Sequence, residues 1–188
     1  MSLLVTGLVV FFVLHFLPIF APLRSHLAAR LGERRYKGWF SILSGIGLVL
    51  IAVGFAQTSP ERMVFSPWPR AVTAARDVVP IAFILLAASH MRGYIRAVLK
   101  HPMMIGVALW AVVHLLANGD LASTVLFGSF LAYAVIDIIS ATARHAYASF
   151  TPSVKYDAMA IVGGLVVAVV VMSLHRILFG VPVVSFSL

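Results

Sequence analysis

Apolar residues run along this chain in long unbroken stretches, with short polar segments between them. Six stretches stand out: Leu3–Phe20, Gly38–Gln57, Ala71–His90, Pro102–Ala117, Leu121–Ala141 and Ala158–Ile177. A helix that crosses a bilayer needs ~20 mostly apolar residues, so each stretch predicts a transmembrane helix, the fourth being the shortest. A membrane β-barrel would instead show segments of ~10 residues that alternate apolar and polar positions. These runs are continuous and rich in Ala, Leu and Val. The fold class they predict is all-α, an integral membrane bundle of about six transmembrane helices. The connections are too short to fold alone, so residues 1–188 read as a single transmembrane domain.

Composition agrees with the pattern. The chain is 62% hydrophobic and 11% charged, against ~25% charged residues in soluble domains. The first run could be a cleaved signal sequence, but that needs a positive segment before it. Here "MSLLVTG" has no Lys or Arg and the positive residues follow, so the run reads as a retained helix.

The placement of charge sets an orientation. The first, third and fifth connections carry Arg24, Arg30, Arg34, Arg35, Lys37, Arg92, Arg96, Lys100, Arg144 and Lys155. The other side has Arg62, Arg70, Arg76 and Arg176. Basic loops stay in the cytoplasm, which predicts that both termini lie on the outer side of the membrane, the periplasmic side if that membrane is a bacterial inner one. Those loops would attract anionic membrane lipid, and nothing in them has the form of a nucleic-acid module. With no cysteine, thiolate ligands and nucleophiles are excluded, and redox chemistry would need a bound cofactor.

Two connections have local signals. "TSPERMVFSPWPR", residues 58 to 70, carries three prolines and Trp68 and reads as an outer-surface loop. In "ANGD", Asn118 and Gly119 would end one helix and Asp120 would cap the next. Small residues four apart, Ser41 with Gly45 and Gly164 with Ala168, would allow close helix contact.

Ionisable groups inside spans are costly and point to function. They are His15, Asp77, His114 and Asp137. A lone intramembrane imidazole can be a packing residue bonded to a neighbouring carbonyl. Two at comparable depth, His15 on the first helix and His114 on the fourth, point instead to a shared ligand, and a haem iron is the simplest candidate. Zinc would want three or four ligands. Trp110, His114 and Asn118 are spaced four apart and share one helix face, as a packing stripe or as a wall beside a porphyrin. His101 is 13 residues before His114, which is roughly 140° around a helix and about 20 Å along it. The two cannot ligate one metal. His101 precedes Pro102, so it would serve as helix N-cap, or meet a propionate or a lipid headgroup. Asp137 would pair with Arg144 or an arginine of the first connection, and Asp77 beside Arg76 reads as interfacial.

Two stretches, "HPMMIGVALWAVVHLLANGDLASTVLFGSF" and "HFLPIFAPLRSHLAARLGERRYKGWFSILSGIGLVLIAVGF", closely resemble the NnrU family. The second carries that family's pattern of His, then Leu-Arg, then Gly-x-x-x-Tyr, then Phe-Ser. The resemblance covers nearly the whole chain. It implies a bacterial inner-membrane protein linked to denitrification and nitric oxide reductase components, similar to the haem b-containing 15-cis-zeta-carotene isomerases. By that resemblance His15, and His114 at the end of the Trp110-x-x-x-His114 element, would lie at the haem, and the family's Arg-His-Pro element appears here as Lys100-His101-Pro102. Ala111 stands where the isomerases can carry a cysteine, which favours the denitrification branch over the isomerase. The His-Pro-x-x-x-Gly element also resembles membrane methyltransferases, but the acidic downstream motif of those enzymes is missing.

Overall fold

A computed structural model describes residues 1–58 and 62–179 of the chain. Pro60 and Glu61 of the proline-rich segment lie outside the described residues. The described residues form eight helices: α1 (Ser2–Phe16), α2 (Ala21–Leu31), α3 (Glu33–Ala56), α4 (Ala71–Ala88), α5 (Tyr94–Leu99), α6 (Pro102–Ala117), α7 (Leu121–Ala143) and α8 (Val154–Phe179). The six apolar runs are all helical, and α2 and α5 occupy segments expected to be loops.

Helices α3, α4, α7 and α8 are long and apolar enough to cross a membrane, and α1 with α2 makes a fifth if the bent pair is one span. At 16 residues α6 is shorter, ~24 Å against a hydrocarbon core of ~30 Å. Outward faces support a lipid environment. Trp39, Ile42, Ile46, Val49 and Val53 line one exposed side of α3, a periodic apolar stripe that water would not tolerate but acyl chains would.

The packing order differs from the chain order. Helix α3 packs on α1, α1 on α7, α7 on α6, α6 on α4, and α4 on α8. The α1–α3 pair is tight because glycines remove side chains at its seam. A Cβ on Gly7 would stand 2.6 Å from the Ile51 nitrogen, and one on Gly54 would collide with the Leu4 backbone. Of the expected small-residue pairs, Gly164 and Ala168 do face a neighbour: Gly164 lies against the backbone of Ile84, and Ala168 is fully buried. Gly45 meets nothing, so Ser41 and Gly45 are not a contact seam.

Leu4 and Leu8 of α1, Ile51 of α3, Ala111 of α6, and Ala122, Leu126 and Phe127 of α7 form the main core cluster. Asp120 caps α7, its Oδ1 accepting from the Ser123 N–H at 2.9 Å, as the sequence predicts. The segment before α4 crosses the α6–α7 turn. The Val64 N–H donates to the Gly119 carbonyl at 2.7 Å, the Leu121 N–H to that of Arg62 at 2.9 Å, and the Trp68 N–H to that of Leu116 at 2.8 Å.

The first apolar run breaks earlier than its hydropathy predicts. Pro18 has no N–H to continue the ladder, and α1 stops at Phe16 before the chain turns 89° into α2. Helix ends leave carbonyls without partners. Two of these are taken by α7: the Tyr133 hydroxyl donates to the His15 carbonyl at 3.2 Å, and Arg144 Nη1 donates to that of Pro18 at 3.1 Å.

Candidate functional site

The site begins with two imidazoles held in the same way. His15 Nδ1 lies 2.8 Å from the Phe11 carbonyl, and His114 Nδ1 lies 2.8 Å from the Trp110 carbonyl. A carbonyl only accepts, so Nδ1 carries the proton in both rings. In the neutral ring each Nε2 is then left as a lone pair. Helical side chains lean toward the N-terminus of their helix, and this explains why an i−4 carbonyl is in reach.

Aromatic rings fill the space between the two. His15 stacks on Phe11 with centroids 3.9 Å apart, Phe11 meets Phe130 at 5.5 Å, Phe130 meets Trp110 at 5.6 Å, and Trp110 meets His114 at 5.1 Å. Phe127 lies 4.7 Å from the His114 ring, and Tyr133 lies 5.9 Å from that of His15. Phe127, Phe130 and Tyr133 recur every third residue along α7. That stripe is the signal that could have identified this wall from the sequence.

The two histidines are offset along α7. Tyr133, beside His15, is six residues beyond Phe127, beside His114, which is ~9 Å along α7. The cause is where the helices end. Pro18 stops α1 just past His15, and α6 stops at Ala117 just past His114. The two helices run in opposite directions relative to α7, so the histidines fall on opposite sides of the Phe11–Phe130–Trp110 layer.

The expected stripe on α6 is present. Trp110 packs against His114, and Asn118 Nδ2 donates to the His114 carbonyl at 2.9 Å. His101 stands at the N-cap of α6, but its side chain makes no capping bond. The ring turns instead to α7, with Nε2 3.3 Å from Thr142 Oγ1, and it packs 5.5 Å from Tyr147. Among the described residues Asp137 does not make the expected ion pair with an arginine: Arg144 turns to Pro18 and Ser140, and Arg24 pairs with Glu33. Asp77 is exposed near the start of α4, in keeping with an interfacial position.

Asp157 was not singled out by the sequence. Its Oδ2 and Oδ1 accept from the N–H groups of Tyr94 and Ile95 at 2.8 and 3.0 Å. It thus caps the start of α5 from the first turn of α8. Gly93 is required beside it, because a Cβ there would collide with the Asp157 carboxylate.

The donor set can be tested against a haem. Two neutral imidazoles with free Nε2 atoms, in apolar aromatic surroundings, are the ligands a six-coordinate haem iron takes. Anchoring of Nδ1 on a carbonyl is the outer-shell bond that orients metal-ligating histidines. The Phe130 ring lies between the two, so it must turn aside for both Nε2 atoms to reach one iron. No group of three or more His, Cys, Asp or Glu residues that could hold a metal ion occurs among the described residues, which leaves no zinc-type cluster beside this pair.

Residues 3–183 match the family described as NnrU protein. No curated protein and no solved structure matches the chain.

Proposed function

As the chain belongs to the NnrU family, we propose that it is a haem b-binding protein of the bacterial inner membrane that supports nitric oxide reduction in denitrification. In this reading the haem would be held between α1 and α6 by His15 and His114. The basic loops face the cytoplasm and both termini the periplasm, and nitric oxide reductase components are the expected partners. The observation that carries the reading is the matched state of the two imidazoles, Nδ1 tied at 2.8 Å and Nε2 left as a lone pair. Bound haem would supply electron exchange, or binding of a diatomic ligand if one of the two histidines let go. The chain itself fixes the ring orientations, through Phe11 and Trp110, and excludes water with the aromatic layer. Asn118 secures the last turn of α6, and through it the His114 backbone.

A second reading is a haem-dependent cis–trans isomerase of a carotenoid. It is favoured by one observation, the wall of Phe11, Phe130, Trp110 and Phe127, against which a flat polyene would pack. Optical spectra test both. Protein expressed with adequate haem is expected to show a Soret band. Its absence would reject the cofactor, and Soret and reduced α-bands unchanged in both His15→Ala and His114→Ala would reject the ligands. Carbon monoxide separates the readings: ready binding to the reduced protein favours an enzyme or sensor, and none favours electron transfer or a structural haem.

A further inference from the structure

We propose that the groove between α2 and α3 binds the phosphate headgroup of an anionic membrane lipid, with Arg24 and Lys37 at its mouth and the Tyr36 hydroxyl as a further donor. The groove has a volume of about 280 Å³ and is lined by Pro18, Arg24, Tyr36, Lys37, Phe40 and Ser41. It lies apart from the aromatic layer, on the far side of the His15–Phe40 contact.

An unanswered polar atom points to a ligand. Tyr36 is only 7% exposed, and its hydroxyl, shielded from solvent, has no hydrogen-bond partner. Ser44 Oγ, two turns further along the same face of α3, is in the same state. A buried hydroxyl without a partner costs about 1–3 kcal/mol, and a phosphate oxygen beside Tyr36 would remove that cost there.

The charge fits an anion. Arg24 and Lys37 both contact Glu33 Oε1, at 2.8 and 3.3 Å. Two cations against one carboxylate leave a net positive mouth. The Arg24 guanidinium also lies over the Tyr36 ring, 5.7 Å from its centroid, so the cation and the hydroxyl-bearing ring form one unit. Guanidinium and ammonium groups are strong donors to phosphate.

The surroundings favour a lipid over free phosphate. Helix α2 turns 89° from α1 and so runs along the bundle end, at the level where spans leave the bilayer. Phe20 and Leu23 of that segment and Trp39 of α3 are exposed, the apolar and indole side chains that seat at a membrane interface. Pro18 and Phe40 give the groove an apolar wall for the glycerol and upper acyl chain.

Native mass spectrometry of the full chain, released from micelles containing equal phosphatidylglycerol and phosphatidylcholine, tests the assignment. The wild type is expected to retain phosphatidylglycerol over phosphatidylcholine. Arg24→Gln should lower that retention roughly tenfold and Tyr36→Phe several-fold, while Arg24→Lys restores part of it. Circular dichroism matched to wild type shows that each variant is folded, and Tyr36→Phe keeps the ring if Arg24→Gln does not fold. Equal retention of the two lipids, or retention unchanged in both Arg24→Gln and Tyr36→Phe, overturns the proposal. Complete displacement of the lipid by inorganic phosphate overturns the lipid assignment and leaves a simple anion site. Neither outcome depends on haem, which the Soret band reads separately.

Discussion

His15 and His114 stand on opposite sides of one aromatic layer, each with Nδ1 2.8 Å from a carbonyl one turn back along its own helix. The pair is therefore symmetric in chemistry although the helices carrying it run in opposite directions. What separates the two rings is the side chains of Phe11, Phe130 and Trp110.

If the pair holds a haem as proposed, that separation would make Phe130 a gate on ligation. With Phe130→Ala, both imidazoles are expected to close on one iron more readily. Electronic or resonance Raman spectra of the haem-loaded variant should show a larger six-coordinate low-spin fraction than wild type. A smaller fraction would mean that Phe130 supports the site rather than obstructs it.

The hydroxyl of Tyr133 answers a carbonyl that the break at Pro18 leaves open. Tyr133→Phe should lower stability by about 1 kcal/mol, the net worth of one hydrogen bond. Thermal unfolding in detergent would register this as a drop in midpoint, with the secondary structure of the folded state unchanged.

The glycine seam between α1 and α3 makes a comparative prediction. Gly7→Val would force the Ile51 backbone away and should cost at least ~1–3 kcal/mol, the range for overpacking. Gly45→Ala, on the same α3 but facing open space, should be neutral or slightly stabilising, since alanine favours helix. Denaturation midpoints of the two variants in one detergent provide the check.

Asp157 holds α5 to α8 through two backbone N–H groups. Asp157→Ala should destabilise by ~1–2 kcal/mol, as loss of an N-cap does. Hydrogen exchange at Tyr94 and Ile95 should rise in this variant, while amides of α7 keep their protection. Uniform loss of protection would show that the cap supports the whole bundle.

How much of this was legible beforehand depends on the kind of signal. Hydropathy locates the six long helices because burial in lipid demands continuous apolar runs. The stripe of Trp110, His114 and Asn118 follows from helical spacing alone, and Asp120 from capping chemistry. The end of the first helix did not follow. A hydropathy run through Phe20 does not reveal that Pro18 and a helix lying across the bundle end stop α1 at Phe16. Asp157 was hidden because its partners, Tyr94 and Ile95, are more than sixty residues away, and no local pattern marks such a cap. The orphan hydroxyl of Tyr36 is likewise a property of packing, silent until α2 and α3 are placed together.

The packing order has a consequence for biogenesis. Helices α3 and α4 are consecutive in the chain, yet α1, α7 and α6 lie between them in the bundle. The α1–α3 hairpin can close as soon as it leaves the ribosome, but its docking partner α7 is synthesised much later. It must wait in the bilayer as a separate unit, joined to the rest through the segment between α3 and α4. The two parts meet on the arrival of α7, when Tyr133 and Arg144 take the open carbonyls of His15 and Pro18, and α8 then docks on α4. The two imidazoles are brought together by that same late event, so a cofactor that needs both would enter a nearly finished membrane protein rather than a nascent one.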